Sequence, residues 1–547
     1  MVVDVPVLIV GGGPIGLALA SDLGRRGVAA LLVEQNQNRI GSAKMLQVSI
    51  RTMEFCRQWG IAETVRNWGF PLDHRLDSVF VTDMNGYELG RVVTPSLAAE
   101  HSMPISPERS MPCPQTWFDP ILQNHARSFP QIELRHEVKL ESFVQDDNGV
   151  TATLLDRRSG ERETVRCSYL IGCDGFASTV REQLGIEVRG ERHIDWSMTI
   201  YIRVPDFARY HDKQEAFRYV FVGPEGAWSF LTAVDGKDLF RLQLVGLDAA
   251  KLEETDVSAL FCRGMGRDVP HTIEDKTLWV RKRTVADRFM DGRVFIAGDA
   301  AHAHPPNGGL GMNTGIQDAF DLGWKLAARL KGWGGENLLD SYDYERRPAS
   351  ARAAEMSLSN YKRLVSTKPN SEIAAPTAEG EAVRRRVGQR LVEENEKSWH
   401  PLGVHLGYVY DPSPIVVPDG SPKPEDDTIG YRPTSFPGAR APHVWLSPSG
   451  EGGQSTLDLF GAGFVLLNFA GRPSAALEQA AAQRGVPLKV EHIDSREAAA
   501  LYEKPLVLVR PDGHVAWRGD AVPADALALI DTVRGAGPLV AARRAPA

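Results

Sequence analysis

The first 34 residues set the tightest limit on what this chain can fold into. VPVLIV (5 to 10) is a short β-branched run of the buried-strand kind, GGGPIG follows, and LALASDLGRRG (17 to 27) has helical apolar spacing closed by a glycine. A second strand-like run, AALLVE, ends at Glu34. Gly11, Gly13 and Gly16 thus place Gly-x-Gly-x-x-Gly between strand and helix, with an acid about twenty residues further on, as a dinucleotide-binding unit requires. Gly11 allows the tight turn, Gly13 lets backbone approach a pyrophosphate, Gly16 permits close helix packing, and Glu34 can accept hydrogen bonds from an adenosine ribose. A glycine triplet alone is often only a strand-to-helix turn. The complete context predicts dinucleotide binding without choosing between a nicotinamide and a flavin.

Composition removes several alternatives. With 547 residues, 43% apolar and 24% charged, the chain is ordinary globular material, long enough for about three domains. A net charge of −8 and the lack of a long basic run argue against nucleic-acid or anionic-membrane partners. The N-terminus carries Asp4 and is cut by three glycines, and no window reaches the 18 or so apolar residues of a membrane helix, so neither a signal peptide nor a membrane span is predicted. Cys56, Cys113, Cys167, Cys173 and Cys262 are scattered, odd in number and without a C-x-x-C pair, which predicts reduced thiols in a cytoplasmic protein.

Three motifs then narrow the class. GGGPIGL (11 to 17), CDGFASTVR (173 to 181) and GDAAHAHPPNGGLGMNTGIQDAFDLGWKLA (298 to 327) resemble, in order and separation, those of single-component FAD-dependent aromatic hydroxylases, the class A flavoprotein monooxygenases. LGYVYD (406 to 411), PGARAPHVWL (437 to 446) and LVRPDGHVAWR (508 to 518) resemble the phenol hydroxylase branch, which carries a C-terminal thioredoxin-like domain. The resemblance implies an α/β fold: a Rossmann-type FAD-binding domain (1–75, 101–189, and 285–400 with a helical region), interleaved with an antiparallel-sheet substrate domain (76–100, 190–284). A linker (401–430) and a thioredoxin-like domain (431–547) would follow. No cysteine occurs past Cys262, so the last domain is expected to serve packing or a homodimer contact rather than thiol chemistry, and its deletion to affect solubility or assembly before chemistry.

The resemblance implies FAD contacts from Gly11, Gly13, Pro14, Ile15, Gly16, Glu34 and Gln35; from Lys44, where arginine is usual, Arg51 and Gln115; and from Asp174, Gly175 and Arg181 near the pyrophosphate. Gly298, Asp299, Pro305, Gly308, Gly309, Leu310, Gly311, Met312 and Asn313 complete the set. A short carboxylate at a strand end, Asp299, suits sugar-like hydroxyls, although a turn or helix-cap aspartate is the commoner use. Glycines let backbone come beside a flat ring, and the helix N-terminus after them suits the anionic N1–O2 edge of a reduced flavin. Ile316, Phe320 and Trp324 share one apolar face of that helix. His302 and His304 have the H-x-H spacing of a metal site but no further ligand nearby, so no metal is expected and they are assigned to scaffolding.

Residues 190 to 285 carry strand-like runs separated by PEG and DGKD turns. Aromatic sheet faces are more often core than site; the resemblance nevertheless makes one face the roof of the substrate pocket. Tyr201, Arg203, Tyr219, Trp228, Arg241 and Gln243 are candidates, with Pro305 from the loop, and strand parity turns half of the sheet residues away. By resemblance, NADH or NADPH docks transiently and reduces the flavin, O2 adds to form a C4a-hydroperoxide, and its distal oxygen passes to a ring carbon of a small phenolic substrate. The alternative is a related FAD oxidoreductase acting on a non-phenolic substrate by epoxidation, oxidation or double-bond reduction.

Overall fold

The computed structural model describes residues 2–37, 44–100, 102–247, 255–366, 371–399, 401–447 and 453–537. Strand Val2–Val10 runs parallel to Ala30–Glu34 on one side and to Arg162–Gly172 on the other, and the sheet extends to Ile132–His136 and Val294–Ile296, also parallel. Its strands read as near-continuous apolar runs because helices cover the sheet, among them Pro14–Arg25 and Leu310–Leu330. Phe320, on the predicted apolar face of the second helix, stacks on Phe55, while Trp324 further along packs against Trp333 and Phe464.

A seven-stranded sheet lies beside this layer, in the order Thr272–Val280, Trp196–Arg203, Leu239–Leu247, Gly226–Ala233, Arg218–Gly223, Ser78–Val81, Glu88–Val92. All neighbours are antiparallel except Arg218–Gly223 with Ser78–Val81, which pair in parallel because that strand arrives from a distant part of the chain. One hydrophobic core runs through both sheets, from Val7 and Leu32 to Phe221 and Leu242.

The C-terminal unit is β-α-β-α-β-β-α. Phe464–Asn468 lies parallel to Leu488–His492 and antiparallel to Leu506–Val509, which pairs antiparallel with Val515–Gly519. That is the thioredoxin arrangement, docked on the first domain through Trp324, Ala328 and Leu338. Among the described residues no helix is long and apolar enough to cross a membrane.

Candidate active site

The two helices named above begin with bare backbone at one shared cleft. Pro14–Arg25 starts after Gly13 and Leu310–Leu330 after Gly309, whose φ is 65°, and neither N-terminus is capped by a side chain. Free first-turn N–H groups with the partial positive charge of the helix end are the physical makings of an anion site. The glycines divide the work. A Cβ on Gly11 would meet the Cys173 carbonyl oxygen at 2.3 Å and one on Gly16 the Gly11 carbonyl oxygen at 2.0 Å, so both are demanded by packing. A Cβ on Gly13 would meet nothing within 4 Å; its backbone is open to the cleft.

The cleft has two lobes of ≈ 1020 Å³ and ≈ 420 Å³ that share Gly13, Lys44, Gln115, Arg241, Asp299 and His304 on their walls. Glu34 lies in the larger lobe, its carboxylate accepting from the backbone N–H of Gly12 and of Asn36, both at 2.8 Å. Asp299 is exposed where it opens on both lobes; the protein packed around the cleft pushes its carboxyl up by desolvation, with the charges of His302 and Lys44 opposing. Pro14, Ile15, Gly175, Pro305, Gly308, Gly309, Leu310, Gly311 and Met312 line the smaller lobe, and Gln243 the larger. Gln115 accepts from the Lys44 N–H at 3.3 Å and donates to Asp119 at 3.0 Å, which fixes that wall.

The structure turns other expected residues away. Arg51 is buried against Glu54 at 2.7 Å and the Asp512 carbonyl at 2.9 Å, facing the C-terminal domain rather than the cleft. Asp174 accepts from the Ser178 hydroxyl at 2.6 Å and the Val180 N–H at 3.1 Å, thereby capping helix Thr179–Gln183. Arg181 of that helix donates to the Ala300 carbonyl at 3.0 Å. Asn313 spends its amide inside the protein, accepting from Ser49 N–H and the Thr52 hydroxyl and donating to the Gln47 and Gly309 carbonyls. Gly298 is a packing glycine, φ 61°, where a Cβ would meet Ile15 at 2.8 Å. Gln35 is exposed and uses its carbonyl on Arg157.

Of the sheet candidates only Arg241 and Gln243 reach the cleft. Tyr201 packs among Leu46, Val234 and Leu239, beneath Arg241. Arg203, two residues on, has reached the sheet end, where Asp238 and Glu274 hold it. Tyr219 alternates with cleft-lining Arg218 and so points to the other face, donating to the Gln214 carbonyl at 3.2 Å. Trp228 stacks on Phe221 under Arg263.

Three contributors escaped the sequence reading. Arg218 was hidden by strand parity. His304, assigned to scaffolding, lines both lobes with neither ring nitrogen hydrogen-bonded, and burial together with the neighbouring His302 drives it well below its usual range, hence neutral. Asp119 is buried at the edge of the larger lobe; burial pushes its carboxyl up to about 7 against the pull of Gln115 and Lys44. A group whose folded pKa is raised stabilises the fold fully below its unfolded value, and that stability is lost as pH rises toward the folded value. Asp119→Asn should therefore make flavin-free protein more stable than the parent at pH 8, by of order 1–3 kcal/mol, with the gap closing toward pH 4. Urea unfolding at the two pH values checks this, and a gap independent of pH would refute it.

Two uncapped helix ends, a ribose-side acid, an open glycine and a second carboxylate along one cleft define a dinucleotide-dependent oxidoreductase, and these residues fit FAD. The comparisons agree: a family described as FAD binding domain matches residues 4–357, and one described as aromatic-ring hydroxylase, C-terminal, matches 434–535. The chain belongs to the FAD-dependent aromatic-ring hydroxylases, flavoprotein monooxygenases. It is 33% identical to tetracenomycin B2 monooxygenase-dioxygenase of Streptomyces olivaceus, over 97% of this chain and 98% of the relative. With 2,4-dichlorophenol 6-monooxygenase of Cupriavidus pinatubonensis it shares 31%, over 100% and 96%. The solved structure of RebC with bound 7-carboxy-K252c matches with a TM-score of 0.91 at 39% identity, covering 98% of this chain and all of that one (100%).

Proposed function

We propose that the protein is an NAD(P)H-consuming monooxygenase that hydroxylates a phenolic or related aromatic ring. The observation that carries this reading is the continuity of the cleft: it runs from Glu34 and the Gly13 helix end, past Asp299, to a lobe enclosed between the 305–311 loop and the sheet residues Arg218, Arg241 and Trp279. Bound FAD supplies reduction by NADH or NADPH and activation of O2 for transfer of one oxygen atom. Glu34 and Asp299 would hold hydroxyls of the bound FAD, and the Leu310 helix end would stabilise negative charge on its ring. Pro305 and Pro306, with the aromatic walls Phe217 and Trp279, keep water from the reacting centre. Neutral His304 offers a hydrogen bond there.

A second reading, oxidation of a non-phenolic polycyclic aromatic, draws support from the higher identity to RebC than to the dichlorophenol enzyme. One experiment separates them. FAD-loaded protein is given NADH or NADPH, O2 and a panel of phenols, their methyl ethers and polycyclic aromatics, with oxygen uptake and product masses recorded. A phenol should stimulate NAD(P)H oxidation by at least about tenfold and leave with one added oxygen. No stimulation by any compound and no oxygenated product would overturn the proposal; oxidised products lacking added oxygen would favour the second reading.

A further inference from the structure

Behind the glycine loop lies a further cavity of ≈ 180 Å³. Gln47, Gly308 and Gly309 stand both on its wall and on the wall of the smaller lobe, so the two spaces meet at this loop. Neither glycine puts a side chain between them, and where a Cβ of Gly309 would stand there is nothing within 4 Å. From the loop the cavity runs past Leu76, Thr94, Met103 and Leu402 to exposed Pro95 and part-exposed Glu100. It therefore reaches the surface by its own mouth; Asp299, Arg241 and Trp279, which line the cleft, take no part in its wall.

Size and polarity select the guest. Sites for drug-sized molecules measure about 300–1,000 Å³, and a water molecule takes about 30 Å³, so this cavity suits only small molecules. Its polar wall is spent within the protein. Arg109 donates to the Pro95 and Glu100 carbonyls at 3.0 and 2.7 Å and pairs with the Glu100 carboxylate at 3.7 Å. Ser110 accepts from the Ile50 N–H at 3.1 Å, and Asn313 has its amide engaged by Ser49, Thr52 and two carbonyls. With those groups paired and leucine, methionine and proline among them, the wall favours a small neutral guest over an ion. A monooxygenase consumes one: dioxygen, of which one atom enters the substrate and the other leaves as water, with electrons from the reduced flavin. FAD laid along the cleft, with an aromatic ring beside it, fills the lobes by which dioxygen could otherwise come. We propose that this cavity is the entry path of dioxygen, which passes between Gln47 and the Gly308–Gly309 backbone to the flavin. The inference rests on the proposed function only in placing the flavin ring at the Leu310 helix end.

The test needs no aromatic substrate. FAD-loaded protein, titrated to full reduction with dithionite under anaerobic conditions, is mixed with buffer at graded O2 concentrations, and the return of oxidised flavin absorbance is followed by stopped flow. The slope against O2 is a second-order rate constant. Thr94→Phe, Met103→Trp and Leu402→Trp narrow the passage at three places without altering a residue that lines the cleft. The constant should fall about tenfold or more in each variant that folds and holds FAD, whereas Thr94→Val, of the same shape as the parent, should stay within about twofold. FAD affinity and the oxidised flavin spectrum should not change. Met103 and Leu402 are only partly buried, so larger side chains are tolerated there and decide the matter should Thr94→Phe not fold. A parental constant in any folded, flavin-loaded filling variant overturns the proposal, whether the space then proves a water exit or a hydrated crevice. So does a fall that comes with lost FAD or an altered spectrum, which would make these side chains part of the cofactor's seat. Failure to hydroxylate any phenol, alongside a tenfold fall in the oxygen constant, would count against the proposed function and leave the passage standing.

Discussion

A chain ending at residue 430 should be recovered only as insoluble or flavin-free protein. The C-terminal domain supplies buried cations to the first domain. Glu54, buried on helix Ile50–Trp59, is held by Arg51 at 2.7 Å and by two bonds from Arg440, one of them 3.0 Å. Arg510 reaches across to Glu345 and Asp321, which also share Lys325 at 2.6 Å and 2.7 Å. Burial alone would raise Glu345, but Arg510 and Lys325 more than offset it and hold it low, while burial keeps Asp321 above the usual carboxylate range. Truncation removes Arg440 and Arg510 and strips the apolar cover from Trp324 and Leu338. Breaking a buried pair costs about 3–5 kcal/mol, and two such losses exceed the margin of many folded proteins, about 5–15 kcal/mol. Soluble yield, circular dichroism and the ratio of flavin to protein absorbance check this. A soluble, folded, flavin-loaded 1–430 chain would sink the claim that the domains fold as one body.

Replacing Asp318 by alanine should be nearly as severe, for a reason tied directly to the cofactor cleft. Its carboxylate is fully buried and accepts from His302 Nε2 at 2.7 Å, from the Gly298 N–H at 3.1 Å and from Arg346 Nε at 2.8 Å; Arg346 also donates to the Thr314 carbonyl at 3.2 Å. One side chain therefore fixes the Gly298–Asp299 turn, the start of the long helix beside it and the helix Ser341–Ser366. Asp318→Ala leaves Arg346 buried without its carboxylate, at a cost of about 3–5 kcal/mol, and frees the turn that carries Asp299. Asp299→Ala breaks none of these bonds, so it should fold as well as flavin-free parent protein yet purify largely depleted of FAD. Urea unfolding and flavin fluorescence titration distinguish the two. Wild-type stability in the first variant, or wild-type FAD affinity in the second, would remove the assigned role.

Several residues that the sequence reading places at the cofactor have their side chains engaged within the protein instead. Asp174, Arg181, Arg51 and Asn313 sit in motifs beside the cleft, and each has the chemistry to hold a phosphate or a hydroxyl. The same chemistry caps helices and closes loops. Asp174 went to the N-terminus of a helix, Asn313 to the backbone around Gln47 and Ser49, and Arg51 to a glutamate one turn along its own helix. For Asn313, Arg181 and Arg51 the use that prevails involves partners a hundred or more residues away in the chain, such as Asp512 for Arg51. Passing over Arg218 for Tyr219 came from a strand whose facing cannot be known before its register is.

The amino-acid sequence determined, by itself, the dinucleotide turn, the acid at Glu34, the glycine loop running into a helix and the apolar face that seats that helix. Each of these is a demand on backbone or spacing within a few residues: a Cβ on Gly16 that would collide with the Gly11 carbonyl, or a period of 3.6 from Ile316 to Trp324. Only the tertiary structure decided which polar groups face the cleft. The row Arg218–Thr232–Arg241 exists because three strands adopted one register, and the burial that perturbs Asp119, Asp299 and His304 is made by walls from different parts of the chain. Local sterics act through neighbours in sequence; electrostatics and burial act through neighbours in space.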